Sequence, residues 1–163
     1  AETGMRIGQA LGLRHSDIDS RNKRVLIIPR NDNVNGARAK TRVEYSIAVS
    51  SQLLELYSDY LVEEYPRADS DYVFVNIWSG RIGEPMTYDG SVSLLKTLRR
   101  KTGLYFSWHM FRHTHATDLI RDGMNMVLVQ KRLGHQSIQT SIDTYTHISD
   151  QDLQAEYRKF IEE

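Results

Sequence analysis

Apolar residues along this chain come in short bursts, and the spacing within each burst predicts the element that carries it. Met5, Ile7, Ala10, Leu11 and Leu13 predict a largely apolar helix starting almost at residue 1. Lys23 to Pro29 (KRVLIIP) is β-branched and apolar and predicts a strand. The polar run RNDNVNGARAK, with an Asn-Gly turn signal at 35–36, separates it from a returning strand over Thr41–Val49. The two strands form a hairpin with a long tip. Leu53, Leu54, Leu56, Tyr57, Tyr60, Leu61 and Tyr65 repeat at helical spacing from Ser50, with Ser51 and Glu55 a loose fit to an N-terminal turn, and Pro66 ends the run. Asp71–Val75 (DYVFV) predicts a short buried strand and SGRIGEP a loop.

Five further helices follow from the pattern. One covers Tyr88–Thr102, with Gly103 as its C-cap. The next runs from Trp108 to about Asp122 and stops at Gly123, and another covers Met126–Leu133 and stops at Gly134. The last two are Ser137–Tyr145 and Asp150–Ile161, the latter with Leu153, Tyr157, Phe160 and Ile161 as an apolar stripe. The chain reads as an α+β protein, mainly helical, with a small antiparallel sheet.

At 163 residues the chain is long enough for one domain with a core. It opens without an initiator Met on an apolar helix that has nothing before it to pack against, so residues 1–163 are expected to be a fragment of a longer protein. Lys plus Arg number 21 and Asp plus Glu 21, so net charge gives no support for a polyanionic partner and the distribution has to be read instead. Basic residues gather at Arg21–Arg30, Arg38–Arg42 and Lys96–Lys101; acids gather at Glu63, Glu64, Asp69, Asp71 and the last residues. The absence of cysteine excludes disulfides, thiolate metal sites and a cysteine nucleophile. No apolar run reaches transmembrane length and no signal-peptide layout is present, so a cytoplasmic location is expected.

The chemistry concentrates between Trp108 and His147. His109 and Arg112 stand three apart in HMFRH, a spacing that projects both from one helix face. His135 closes the tripeptide LGH, and Tyr145 follows ten residues later. Arg offers a planar fork suited to phosphate, His can donate, accept or shuttle a proton, and a phenol can act as a covalent nucleophile. Singly, each residue type is more often a packing or surface group. Together they suit a phosphodiester.

The series HxxRH, LGH and Tyr resembles the tyrosine recombinase (phage integrase) family, and TGMRIGQALGLR followed by SDID resembles that family's first signature, so the likeness covers nearly the whole chain. The resemblance implies the family's catalytic-domain fold, with a hairpin plus a third strand packed on a helical core, in a fragment lacking an N-terminal DNA-clamping domain. It implies a catalytic set of Arg6, Lys40, His109, Arg112, His135 and the nucleophile Tyr145, with Ile47-Ala48-Val49 in the strand that follows Lys40. Gln9 stands where the family usually has an acid. The resemblance further implies strand cleavage and rejoining through a 3′-phosphotyrosyl link, needing neither metal nor ATP. The expected partners are double-stranded DNA and a homotetramer on it, with 150–163 as a segment that can dock on a neighbouring subunit. Arg38, Arg42, Arg99, Arg100 and Lys101 are candidate DNA contacts, and Arg30 is a weaker rival to Lys40 because its guanidinium is a poor proton donor.

Three alternatives stay open on sequence alone. A metal-dependent hydrolase would use the imidazoles at 109, 113, 115, 135 and 147, although no HExxH motif occurs. An inactive DNA-binding relative would keep the fold without the reaction. A type IB topoisomerase would share the chemistry. His113, His115 and His147 read as structural, though His113 adjoins Arg112.

Overall fold

A computed structural model describes residues 2–134; His135, Tyr145 and the helices expected over 137–145 and 150–161 lie outside the described residues. The chain divides after His115 into two compact units.

In the first unit, helix α1 covers only Ile7–Leu11. The expected start near residue 1 is displaced because Gly4 takes a left-handed φ of 61° and Arg6 is extended, so the chain turns before it can coil. A short 3₁₀ turn over His15–Asp17 leads into a three-stranded antiparallel sheet: β1 (Ile18–Asp19), β2 (Arg24–Ile27) and β3 (Tyr45–Ala48), in that order. Val25 pairs with Ile18 on one side and Ile47 on the other. Period-two alternation puts Val25, Ile27 and Ile47 on the buried face, where they pack with Leu13, Val49 and Val73. Each such side chain contributes roughly 1.5–3 kcal/mol by leaving water.

The expected third strand is corrected. Asp71–Val75 forms only isolated bridges, Arg14 to Tyr72 and Val75 to Pro85, and the third strand is instead Ile18–Asp19, part of the SDID stretch. The apolar run DYVFV is buried at Tyr72, Val73 and Val75, but its edge is occupied by single bridges on two different segments, not by one continuous partner. The returning strand is also shorter than expected, because Thr41–Glu44 leaves the ladder before pairing begins at Tyr45.

Helix α2 (Ser51–Asp59) is capped by Ser50, the first residue of the predicted helical run, whose hydroxyl accepts from the Leu53 N–H at 3.1 Å. A π-helical turn over Tyr60–Glu64 closes it. Tyr57 and Tyr60 pack against the sheet's buried face, the Tyr65 hydroxyl donates to the Tyr72 carbonyl at 2.7 Å, and burial pushes the Tyr60 phenol up to about 12. Helix α3 (Tyr88–Thr102) starts on a Thr87 cap and ends on Gly103 at φ 69°, as the pattern predicted. Helix α4 (Trp108–Arg121) brings His109, Arg112 and His113 into the first unit.

In the second unit, α5 (Met126–Leu133) begins on an Asn125 cap and stops at Gly134, which is left-handed. Val129 and Leu133 bury themselves with Ala116 against Leu119, Ile120 and Met126. Among the described residues no helix is long and apolar enough to cross a membrane.

One ion pair anchors the start of the β2–β3 loop. Arg30 grips Asp17 through both nitrogens, at 2.7 and 2.6 Å, and Asp17 is only 1% exposed. Its carboxylate also accepts from the Arg14 N–H at 2.9 Å. Arg30, the rival to Lys40, is thereby committed to structure. Removing one partner of a buried pair strands the other charge, at a cost of about 3 kcal/mol. Arg30→Met is therefore expected to lose about that much in equilibrium urea unfolding. Arg24→Met, which breaks the exposed pair with Asp19, should change the midpoint far less; equal shifts would contradict the buried-pair argument.

Candidate active site

Four elements of the first unit converge on a cleft of about 730 Å³: the α1 N-terminus, the β2–β3 loop, one face of α3 and the first turns of α4. Arg6 and Gly8 come from α1 and its cap, Gly36, Arg38 and Lys40 from the loop, Tyr88, Val92, Lys96 and Arg99 from α3, and Trp108, His109 and Arg112 from α4. Every charged side chain in this lining is cationic.

Arg112 is 6% exposed, and its Nη1 donates to the carbonyl of Gly4 at 2.6 Å. Gly4's left-handed backbone turns that carbonyl toward α4. Arg6 sits two residues further on as the α1 cap, and its Nη1 is buried with no hydrogen-bond partner among the described residues. A buried donor left unpaired costs roughly 1–3 kcal/mol, and such a donor suits an anion. Gln9 is buried just behind Arg6: its Oε1 accepts from the Arg6 N–H at 2.8 Å, and its Nε2 donates to the Tyr45 hydroxyl at 3.0 Å.

His109 is exposed at the cleft, with the His113 ring 5.4 Å away. Burial, then the nearby His109 and Arg112, hold the His113 imidazole below its ordinary value. Among the described residues no three His, Asp or Glu side chains are grouped as a metal ion would need.

The cleft therefore gathers Arg6, Lys40, His109 and Arg112 from the expected catalytic set, while His135 and Tyr145 lie outside the described residues. Of the candidate DNA contacts, Arg38 and Arg99 line it, whereas Arg42, Arg100 and Lys101 are exposed elsewhere. Arg99 is partly committed, donating to the Phe106 carbonyl at 2.7 Å and stacking 4.4 Å from the Tyr105 ring centre. Lys96 was missed as a site residue. Helical spacing carries the signal, since Tyr88, Val92 and Lys96 stand four apart and share one face. Tyr88 and Trp108 were missed as well, because a lone aromatic does not announce a cleft wall.

A concave, carboxylate-free array of guanidinium, ammonium and imidazole groups is built for a polyanion. Residues 1–152 match the model of the Phage integrase family. The chain belongs to the phage integrase family. It is 45% identical over 162 residues to "Transposase A from transposon Tn554" of Staphylococcus aureus, covering 99% of this chain and 45% of the transposase. It is 31% identical to "Tyrosine recombinase XerC" of Lactobacillus leichmannii, covering 96% of this chain and 50% of that protein. The chain thus spans about half the length of these relatives. Among solved structures, XerA recombinase is 26% identical with a TM-score of 0.71, over 98% of this chain and 54% of that one. The Tn1549 transposon integrase in complex with circular intermediate DNA shares the fold at a TM-score of 0.76 and 23% identity, over 97% of this chain and 56% of that one. The tyrosine-recombinase catalytic fold expected from the sequence is the fold observed.

The His109–His113 contact yields a test by NMR titration of the ring Hε1 protons. His109→Gln removes a neighbour that repels the protonated His113, so the His113 midpoint should rise toward its ordinary value. A midpoint that stays put or falls would leave burial and Arg112 as the whole cause.

Proposed function

We propose that this chain is the catalytic part of a tyrosine site-specific recombinase of transposase or integrase type, cutting and rejoining double-stranded DNA without metal or ATP. The observation that carries the reading is the cleft whose charged lining is entirely cationic and includes Arg6, Lys40, His109 and Arg112. The likeness to the Tn554 transposase and to XerC supports the reaction class.

In the proposed reaction the Tyr145 Oη attacks phosphorus, and the bond from phosphorus to the 5′-oxygen breaks. The products are a 3′-phosphotyrosyl link and a free 5′-hydroxyl. Charge grows on the non-bridging oxygens as phosphorus becomes five-coordinate. Arg6 and Arg112, with a hydrogen bond from His135, stabilise that charge more than the ground state. His109 takes the tyrosine proton, and the Lys40 ammonium gives a proton to the departing 5′-oxygen. The covalent link conserves the bond energy, so the 5′-hydroxyl of another strand can reverse the step on a new partner. Arg38, Lys96 and Arg99 hold phosphates flanking the scissile one. Arg42, Arg100 and Lys101 act as outer contacts with the duplex. Exchange of two strand pairs needs four protomers, so the working form is a homotetramer on DNA, acting in the cytoplasm on the nucleoid, with 150–163 as the segment docking between subunits.

The test is covalent trapping. A duplex selected by the protein from a random-sequence pool is nicked near the cleavage position, so that the short 5′-hydroxyl fragment diffuses away. Incubation in EDTA followed by a denaturing gel should show a protein–DNA band that Tyr145→Phe abolishes. Arg112→Ala should slow its formation by roughly 10²–10³-fold, the scale of losing one donor to a transition-state oxyanion. Tight binding of the selected duplex with no covalent band would instead identify an inactive DNA-binding relative.

A further inference from the structure

We propose that Gly8 and Asn35 are positioning residues for Lys40, seating the β2–β3 loop on α1 so that its end delivers the ammonium to the scissile phosphate. The proposal rests on the reading of Lys40 as the proton donor given above. Seventeen residues separate β2 from β3, and a polar segment of that length ordinarily wanders. Here it is fastened at successive points. Arg30 is held by Asp17 at its start. The Asn33 Nδ2 donates to the Ala37 carbonyl at 2.9 Å, and its Oδ1 accepts from the Tyr72 hydroxyl at 3.2 Å. The Asn35 Nδ2 donates to two carbonyls outside the loop, Leu11 at 2.9 Å on α1 and Met86 at 2.8 Å ahead of α3. Its Oδ1 accepts from the Ala37 N–H at 3.1 Å.

Beyond these bonds the loop lies directly on the α1 backbone. A Cβ placed on Gly8 would collide with the carbonyl oxygen of Arg38, and one on Gly12 would come within 2.9 Å of the Asn33 Nδ2. The first collision is with main chain, so the loop itself would have to move. Lys40 is two residues beyond Arg38, a reach of about 7 Å at full extension, so a shift at Arg38 passes to the ammonium. Ala39 between them is buried. Lys40 itself is left-handed at φ 50°, a conformation that costs a non-glycine residue about 1 kcal/mol and persists only where its surroundings impose it. Gly8 and Asn35 supply those surroundings. Neither residue needs to touch DNA.

The experiment compares two substrates, using the nicked selected duplex with either oxygen or sulfur at the bridging 5′ position. An alkoxide leaving group needs a proton; a thiolate, whose conjugate acid has a pKa of about 8.5, departs without one. Rates of covalent band formation are measured for the wild type, Gly8→Ala, Asn35→Ala and Lys40→Ala, each with its urea unfolding curve. The expected result is a loss of about 10- to 100-fold for Gly8→Ala and Asn35→Ala on oxygen, within the range a general acid supplies, and rates near wild type on sulfur. Lys40→Ala should follow the same pattern more severely. Equal losses on both substrates, or no loss on oxygen, would overturn the proposal. Should Gly8→Ala fail to fold, Asn35→Ala decides alone, since it deletes hydrogen bonds without adding a clash. If sulfur does not rescue Lys40→Ala while the Tyr145-dependent band persists, the positioning proposal falls and the recombinase reading stands. If the wild type forms no band on either substrate, both fall.

Discussion

The hydrogen bond from Arg112 to the Gly4 carbonyl joins positions 108 residues apart in the chain, and the cleft depends on it. A buried guanidinium must find acceptors, and a main-chain carbonyl offers a charge-assisted bond without opposing charge. The bond therefore orients the guanidinium without itself bringing a carboxylate to it. It fixes the first turns of α4 beside the turn that precedes α1, which is how His109 comes to line the same cleft as Arg6. Arg30 illustrates the other solution. Its charge is gripped from two sides by a carboxylate, and it serves to anchor a loop. Two largely buried arginines thus meet different acceptors, a main-chain carbonyl at Arg112 and a carboxylate at Arg30.

Charge distribution follows the same logic. The chain carries 21 basic and 21 acidic residues, a balance that hides a cleft with six Lys or Arg side chains and no Asp or Glu in its lining. Convergence of like charges on one concavity raises the free energy of the empty protein through mutual repulsion, and a polyanion relieves it. Burial is the main reason the His113 imidazole is depressed, and the nearby His109 and Arg112 add to it. Binding that depends on such a field weakens steeply with salt as displaced counterions compete for the phosphates.

The C-terminal ends of α3 and α5 were legible because a glycine marked each one. Gly103 and Gly134 stop α3 and α5 at the predicted residues because each adopts a left-handed conformation that other residues resist. The pairing of β2 with β3 was legible from β-branched alternation. The third strand was not, because DYVFV has the apolar character of a strand while pairing depends on which edge other segments reach first. His109 and Arg112 were legible as candidates through motif spacing, Arg6 and Lys40 only through the family resemblance, and the cleft does gather all four. Their catalytic roles rest on the proposed reaction. What spacing could not reveal was the fastening of the loop: Asn33 and Asn35 read as turn formers, and their side-chain bonds to Tyr72, Leu11 and Met86 span 24 to 51 residues.

Gln9 shows how a departure from the family pattern can be absorbed. A carboxylate at this position could only accept hydrogen bonds. The Gln9 amide accepts from the Arg6 N–H on one side and donates to the Tyr45 hydroxyl on the other, so a buried side chain meets both neighbours with one planar group. The link ties the Arg6 turn to β3, the strand that follows Lys40, and so joins the proposed phosphate-binding group to the proposed acid through structure. It does so without setting a negative charge behind Arg6. The substitution that reads in the sequence as a missing acid is, in the fold, consistent with a cleft that keeps carboxylates out.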